Sequence, residues 1–493
     1  MTESGTKPYR WRWAILGVML AAELMDMLDA TIVNVAGPSL EASLGASSVG
    51  LQWVIGGYAL ALGAGLILGG RLGDRYGRRR IFLLGLSAFT LVSLLCAMAP
   101  NIEVLIAFRL IQGAAGAMLL PQGLGLLREN LSGKELGIAF GIFGPALGLG
   151  GILGPVIGGG LIEANLFELG WRSVFLVNLP IGILALVIAW KVLPRRSGDR
   201  KIGIDLVGAA IIVASSGVLV LALNLGVEQD WPLWTWLCIA AGLLGFMLFA
   251  WQQHRLTTRG GVPLVVPGIF KKPAYTLGLV GIALFFSGLI GTQLVLTLFL
   301  QMGNGFSAGE AGLGNLPIAI GTAVGGALSG AFLAEKIGRP IFHFAALVQL
   351  AGVALLWFEL EPSGEFSIWS IVPGIFLFGV GGGAVIAALF SSILAAVDDA
   401  EIGSASGVLT AVQAIASAVG VAIFGSVFLN GFTTAASPGD AFRQTLIVEA
   451  VLLIGFFLVA FRFPKELRAD THGITDERTA APANPESQAP VKN

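Results

Sequence analysis

Fourteen stretches of 18 to 27 residues, each almost free of charge, divide this 493-residue chain. They are 13–36, 51–70, 81–99, 104–126, 137–160, 173–191, 206–225, 232–251, 275–300, 311–334, 341–358, 369–391, 404–430 and 443–461. About 20 apolar residues in a helix cross a hydrocarbon core of roughly 30 Å. Inside that core every backbone N–H and C=O must be satisfied within the segment or by a closed sheet. Continuous apolarity at this length predicts helices, not the alternating ten-residue strands of a barrel. The expected fold is therefore an all-α polytopic membrane protein with 14 transmembrane helices.

Composition narrows the function. Charged residues make up 12% and hydrophobic ones 55%, with mean hydropathy +0.85, which excludes a disordered chain and an ordinary soluble enzyme. Net charge is −1, so no global basic field recruits nucleic acid. The two cysteines, Cys96 and Cys238, lie in apolar runs, and the histidines are scattered; neither a disulfide frame nor a metal site is expected. Extramembrane segments are too short for a catalytic domain. No G-x-x-x-x-G-K-[ST] loop marks an ATP-driven pump. An enzyme is not expected.

Positive charge sets orientation. With the N-terminus inside, the inner ends and loops hold 26 of the 29 basic residues, the outside holds Arg172 and Arg443, and Arg109 lies within a span. Residues 1–12 and the polar tail 464–493, which is expected to be disordered, are then both cytoplasmic. The loop after the second segment reads Gly69-Gly70-Arg71-Leu72-Gly73-Asp74-Arg75-Tyr76-Gly77-Arg78-Arg79. The loop after the tenth ends Glu335-Lys336-Ile337-Gly338-Arg339. Both run acid, base, any residue, glycine, arginine, 261 positions apart. Such repeats are common in secondary transporters. The layout reads as a six-helix bundle (13–193), two additional helices (203–252) and a second six-helix bundle (273–463).

Charge deep inside a span is costly, about 2.5–3.5 kcal/mol per residue at a helix centre on insertion scales, and so marks function. Such charges are Glu23, Asp26, Asp29, Arg109 and Glu449. The first three are spaced by three, forming an acidic stripe about 9 Å long on one face of the first helix. A buried carboxylate can exchange protons and can also attract a cationic substrate, and that competition is a physical basis for antiport. Counting helical rise from the outer span ends puts Asp29 and Arg109 at a common depth, roughly 8–10 Å in. Asp29 with Arg109 is the expected coupling pair, Asp26 a second acid and Glu23 a deeper one; Glu449, alone in the last span, is expected to make lateral hydrogen bonds.

The chain resembles the major facilitator superfamily, and within it the fourteen-helix drug:proton antiporters, over nearly its whole length. The resemblance rests on Gly70 to Arg79, on Leu105 to Gly116 with Arg109, Gln112 and Gly113, on Gly150 to Gly159 with Gly154-Pro155, and on Leu28 to Ala36. It implies proton coupling through Asp29 and Arg109. It implies gating by Gly70, Asp74, Arg75, Gly77, Arg78 and Arg79, and by Gly150, Gly154, Pro155 and Gly158. The glycine stripe is expected to form a sliding surface between the halves. Asp74 is expected in an ionic latch facing the helix that starts near Ser404, whose preceding loop carries Asp398, Asp399 and Glu401. Asn34, Trp53, Tyr58, Gln112 and Gln413 are candidates for the cavity wall. The expected function is proton-coupled export of hydrophobic or cationic small molecules, with protons as the coupling ion and no cofactor. A monomer in a bacterial inner membrane is expected. Transport of one specific metabolite, lipid or amino acid is the alternative, and a membrane sensor the non-transport one.

Overall fold

The computed structural model describes residues 9–45, 48–131, 134–165, 168–199, 203, 205–229, 231–306, 308–329, 337–360, 367–398, 401–434 and 437–463. Glu335 and Lys336 of the second copy of the loop pattern lie outside the described residues, as do Asp399 and the tail 464–493.

The described residues are helical throughout. In the first half lie α1 (Arg12–Leu44), α2 (Ser48–Tyr76), α3 (Arg78–Ala97), α4 (Ile102–Gly116 and Leu120–Asn130), α5 (Lys134–Ala164) and α6 (Ser173–Leu176 and Asn178–Val192). Then come α7 (Leu206–Glu228) and α8 (Leu233–Thr258). The second half holds α9 (Pro273–Leu298), α10 (Ala308–Gly314 and Leu316–Leu328), α11 (Pro340–Glu359), α12 (Ile368–Ala395), α13 (Ile402–Thr434) and α14 (Pro438–Ala460). Among the described residues, twelve of these are long and apolar enough to cross a membrane, against the fourteen expected. The other two are α1, which carries the three acids, and α5.

Local chemistry sets the boundaries. Asn101, Asp205 and Ser437 cap α4, α7 and α14 by accepting from Val104, Gly208 and Asp440 N–H, each satisfying an otherwise orphaned donor. Gly77, at φ 93°, makes the sharp break between α2 and α3 that a side chain would strain.

Helices α1–α6 pack as one bundle and α9–α14 as the other, and α2, α4 and α5 meet α10, α12 and α13 along the seam. The end of the molecule that carries Arg71, Arg75 and Arg78–Arg80 is called the basic end below. There Phe140 and Phe143 of α5 stack on Phe390 of α12, ring centroids 5.5 and 5.9 Å apart. Arg128 Nε donates to Leu394 O at 3.1 Å, and Ser406 Oγ to Pro121 O at 3.3 Å. Gly141 and Gly326 touch backbone to backbone.

The α7–α8 hairpin lies outside both bundles. Gly217 of α7 faces Leu60 of α2, and Val220 faces Gly63. Leu219 and Leu223 of the same helix pack with Ala422 of α13, and Trp231 Nε1 donates to Ser426 Oγ at 2.9 Å. So α7 touches both halves, while α8 packs on α7 and exposes Leu237, Leu244, Met247 and Trp251. Apolar surface of this extent on so many helices suits a lipid bilayer.

Candidate functional site

The acidic stripe of α1 turns inward, into its own bundle. Asp29 and Arg109 of α4 are fully buried and form an ion pair. Gln112 Nε2 donates to Asp29 Oδ1 at 3.0 Å, and Asn178 Nδ2 of α6 donates to the same oxygen at 2.7 Å. Both amides also donate to Ser93 Oγ of α3, at 2.7 and 3.1 Å. Arg109 is held from three sides: Nε donates to Val54 O at 3.0 Å, Nη1 also donates to Gln112 Oε1 at 2.9 Å, and the guanidinium lies 4.2 Å from the Tyr58 ring centroid. A buried ion pair is tolerable only when such further hydrogen bonds satisfy its remaining lone pairs and protons. Arg109 Nη2 is buried without a partner.

Asp26, one turn from Asp29, has a different environment. The Tyr58 hydroxyl donates to its carboxylate, and Gly116 of α4 leaves room for it, since a Cβ there would lie 2.9 Å from Asp26 Oδ1. Its hydrogen-bond partner is thus neutral, whereas Asp29 has a cation beside its two amide donors. Glu23, a further turn along, is also buried.

The cavity candidates separate. Gln112 and Tyr58, expected on an open wall, are instead buried inside this network, because the amide and the phenol complete the hydrogen bonding of Asp29 and Asp26. Trp53 and Gln413 are half-buried, and Gln413 Oε1 has no partner. The side chains of Asn34 and Pro155 lie outside the described residues.

The glycine stripe of α5 faces α1, not the other half. A Cβ at Gly150 would meet Met27, at Gly154 Thr31, and at Gly158 Ile32. The stripe therefore brings α5 against the back of the acid-bearing helix within one bundle. On α5 the glycine that meets the other half is Gly141, against Gly326.

At the basic end, Asp74 accepts from Arg78 Nη2 at 2.9 Å, with Arg71 at 3.7 Å, and Arg78 Nε donates to Glu129 at 2.6 Å. The start of α13 lies against Asp74: a side chain on Gly403 would collide with that carboxylate. Gly70 packs directly on the Gly403 carbonyl and on Gly407. The contact across the seam is thus a carboxylate on a helix N-terminus. Asp398 and Glu401, before α13, pair within the second half: Lys272 takes them at 2.6 and 2.9 Å. Partial burial pulls the Lys272 ammonium down, but its hydrogen bonds to Asp398 and Glu401 outweigh this and leave it above its ordinary value. The same hydrogen bond holds Asp398 below the usual carboxylate range. Ser404 accepts from Val266 N–H at 3.2 Å. Of the remaining loop residues, Arg79 donates to Trp190 O at 2.7 Å, and Arg75 lies over the Tyr76 ring.

Sequence reasoning passed over Ser93, Asn178 as a ligand of Asp29, and the Phe140–Phe143–Phe390 plug. A neutral polar residue in an apolar run costs less to insert than a charge and does not stand out in the same way.

The sequence profile of the Major Facilitator Superfamily matches residues 19–421. The chain is 43% identical to a Streptomyces coelicolor protein named "Probable actinorhodin transporter", over 89% of this chain and 76% of that one. It is 35% identical to the puromycin resistance protein of Streptomyces alboniger, over 86% and 82%. Its fold is similar to the crystal structure of the human organic anion transporter TETRAN, with TM-score 0.64, 17% identity, and coverage of 91% and 99%.

Proposed function

The chain belongs to the major facilitator superfamily, and from that premise we propose that it exports hydrophobic or cationic small molecules in exchange for protons by alternating access. The family and fold point to a transporter and not to an enzyme. The observation that carries the coupling is the pair of acids on α1 held in different ways, Asp29 by a cation and Asp26 by a phenol. Protonation of Asp26 removes a charge one turn from the Asp29–Arg109 pair. That alters the balance of charge on α1 and α4 without breaking the pair. All fourteen helices cross the membrane, α1 and α5 included, because α1 buries its acids and packs along α5. Both termini and the basic end face the cytoplasm, by the excess of Lys and Arg there, in the plasma membrane of a bacterium. The conformation is then the one closed to the cytoplasm, sealed by the phenylalanine plug and by Asp74 on Gly403.

A second reading, export of one natural product instead of many, draws support from the 43% identity to a relative named for actinorhodin. The test of both is accumulation in everted membrane vesicles across a chemically diverse panel. A pH gradient, acid inside the vesicle, is expected to drive uptake that a protonophore abolishes. Uptake indifferent to the gradient for every compound sinks the antiport reading; one transported compound among many inert ones selects the narrow exporter.

A further inference from the structure

The second half has its own buried acid, and three helices converge on it in register. Phe285 of α9, Phe342 of α11 and Phe456 of α14 form one aromatic layer, with Phe456 6.3 Å from each of the other two. Seven residues toward the far end, close to two full turns and so on the same helix faces, come Thr292, Gln349 and, α14 being antiparallel, Glu449. The antiparallel register of α11 and α14 is fixed independently at the far end, where Arg443 Nε donates to Trp357 O. Thus the polar residues form a second layer, about 10 Å beyond the aromatic one.

All three are buried. Thr292 Oγ1 donates to Glu449 Oε2 at 3.3 Å, and Gly288, one turn back on α9, cradles the carboxyl: a side chain there would collide with it. Neither Gln349 Nε2 nor Oε1 has a hydrogen-bond partner. No cation stands at this level among the described residues. On α11, His343 lies six residues away, stacked on Phe457 and Phe461, and Glu359 lies at the far end. On α9, Tyr275 is at the basic end, donating to Ala405 O. The stretches Ile402–Thr434 of α13 and Phe299–Gly303 carry no titratable side chain. On α14 itself, Arg443 is about 9 Å along the axis and engaged with Asp440 and Trp357.

An ionised carboxylate with neutral partners alone is strongly disfavoured in such a core, whereas the neutral acid is accommodated. Its O–H needs an acceptor, and the Gln349 amide offers an unused carbonyl. We propose that Glu449, Thr292 and Gln349 form a second proton-binding site, in the half of the chain that does not contain Asp29. The bound species is a proton on the Glu449 carboxyl, whose hydrogen bond Gln349 accepts directly or through one water. The step is a simple protonation, in which one O–H bond forms and no electron changes hands. The site deepens the proton-coupled reading and rests on it for its part in transport. Occupancy is measured without substrate or gradient, so failure of proton-driven export leaves the measurement intact.

The test is infrared difference spectroscopy of the full chain in lipid nanodiscs, stepped from mildly acidic to mildly alkaline pH. Wild type should show the carbonyl stretch of a buried protonated carboxyl that Glu449→Gln loses. Thr292→Val and Gln349→Leu should keep that band at shifted frequencies, because each removes one hydrogen-bond partner. Carboxyl regions that coincide in wild type and Glu449→Gln overturn the proposal. Should Glu449→Gln fail to insert, an unshifted band in both Thr292→Val and Gln349→Leu overturns it equally.

Discussion

Arg109 donates to Val54, Gln112 and Asp29 at once, so its pair with Asp29 is a structural tie among α1, α2 and α4. Removing one partner of a buried pair leaves an uncompensated charge, at a cost of about 3–5 kcal/mol. Asp29→Asn should therefore insert but melt earlier in a thermal-shift assay, and lose pH-driven export. The double variant Asp29→Asn/Arg109→Gln should recover much of that stability and none of the driven export. Full recovery of both would remove Asp29 from the coupling role. The pair was legible in the sequence because helical rise and span ends fix depth. Depth does not fix direction around the helix, so Gln112 was assigned to the cavity wall although it lies one turn from Arg109, on the same face. Ser93 and Asn178 were silent for a simpler reason: a neutral side chain in an apolar run looks like any other.

Helix contacts give the next scale. A four-residue glycine repeat announces that another backbone comes close, but not which one; here it is α1. Gly154→Val is expected to push on Thr31 and Ile32 and cost about 1–3 kcal/mol, as overpacking does. The loss should appear as lower thermal stability of the detergent-solubilised protein. Gly141→Val instead meets the Gly326 carbonyl across the seam. It should leave each bundle intact and force the basic end apart, which a longer distance between spin labels on α5 and α10 would record. Equal melting losses and an unchanged distance would mean that the two glycines do the same job. Asp398 and Glu401, before α13, teach a related lesson. Sign alone pairs them with the arginines of the first half, but Lys272, at the start of α9, is their actual neighbour. Because Asp398 is held low, that tie persists at neutral pH and is lost only as pH falls through its depressed value.

For the whole molecule, the balance between conformations is set where the halves touch. Asp74→Asn weakens the pairing with Arg78 and removes the charge that lies against the start of α13 together. Turnover should fall several-fold while substrate affinity in detergent stays nearly constant, since the cluster lies at the basic end and not within the bundle. A large loss of affinity with normal turnover would place Asp74 in the binding path instead. The loop's acid and glycine stand out in the sequence because topology control by positive charge does not require them. Its partner was only partly readable, because a helix N-terminus attracts a carboxylate through backbone N–H groups that leave no mark in the residue types.

The seam between the halves has two flanks, one along α2 and α13, the other along α5 and α10. The α7–α8 hairpin closes only the first, and the segment after it reinforces the cover: Pro263 O accepts from Arg71 of α2, and Val266 N–H donates to Ser404 of α13. The transporter is thus lopsided toward its own solvent. A compound dissolved in the bilayer should therefore reach the seam from the α5–α10 flank and not from the covered one. Lipid-phase quenchers should reach fluorophores on the α5–α10 flank and miss those beneath Leu219 and Leu223.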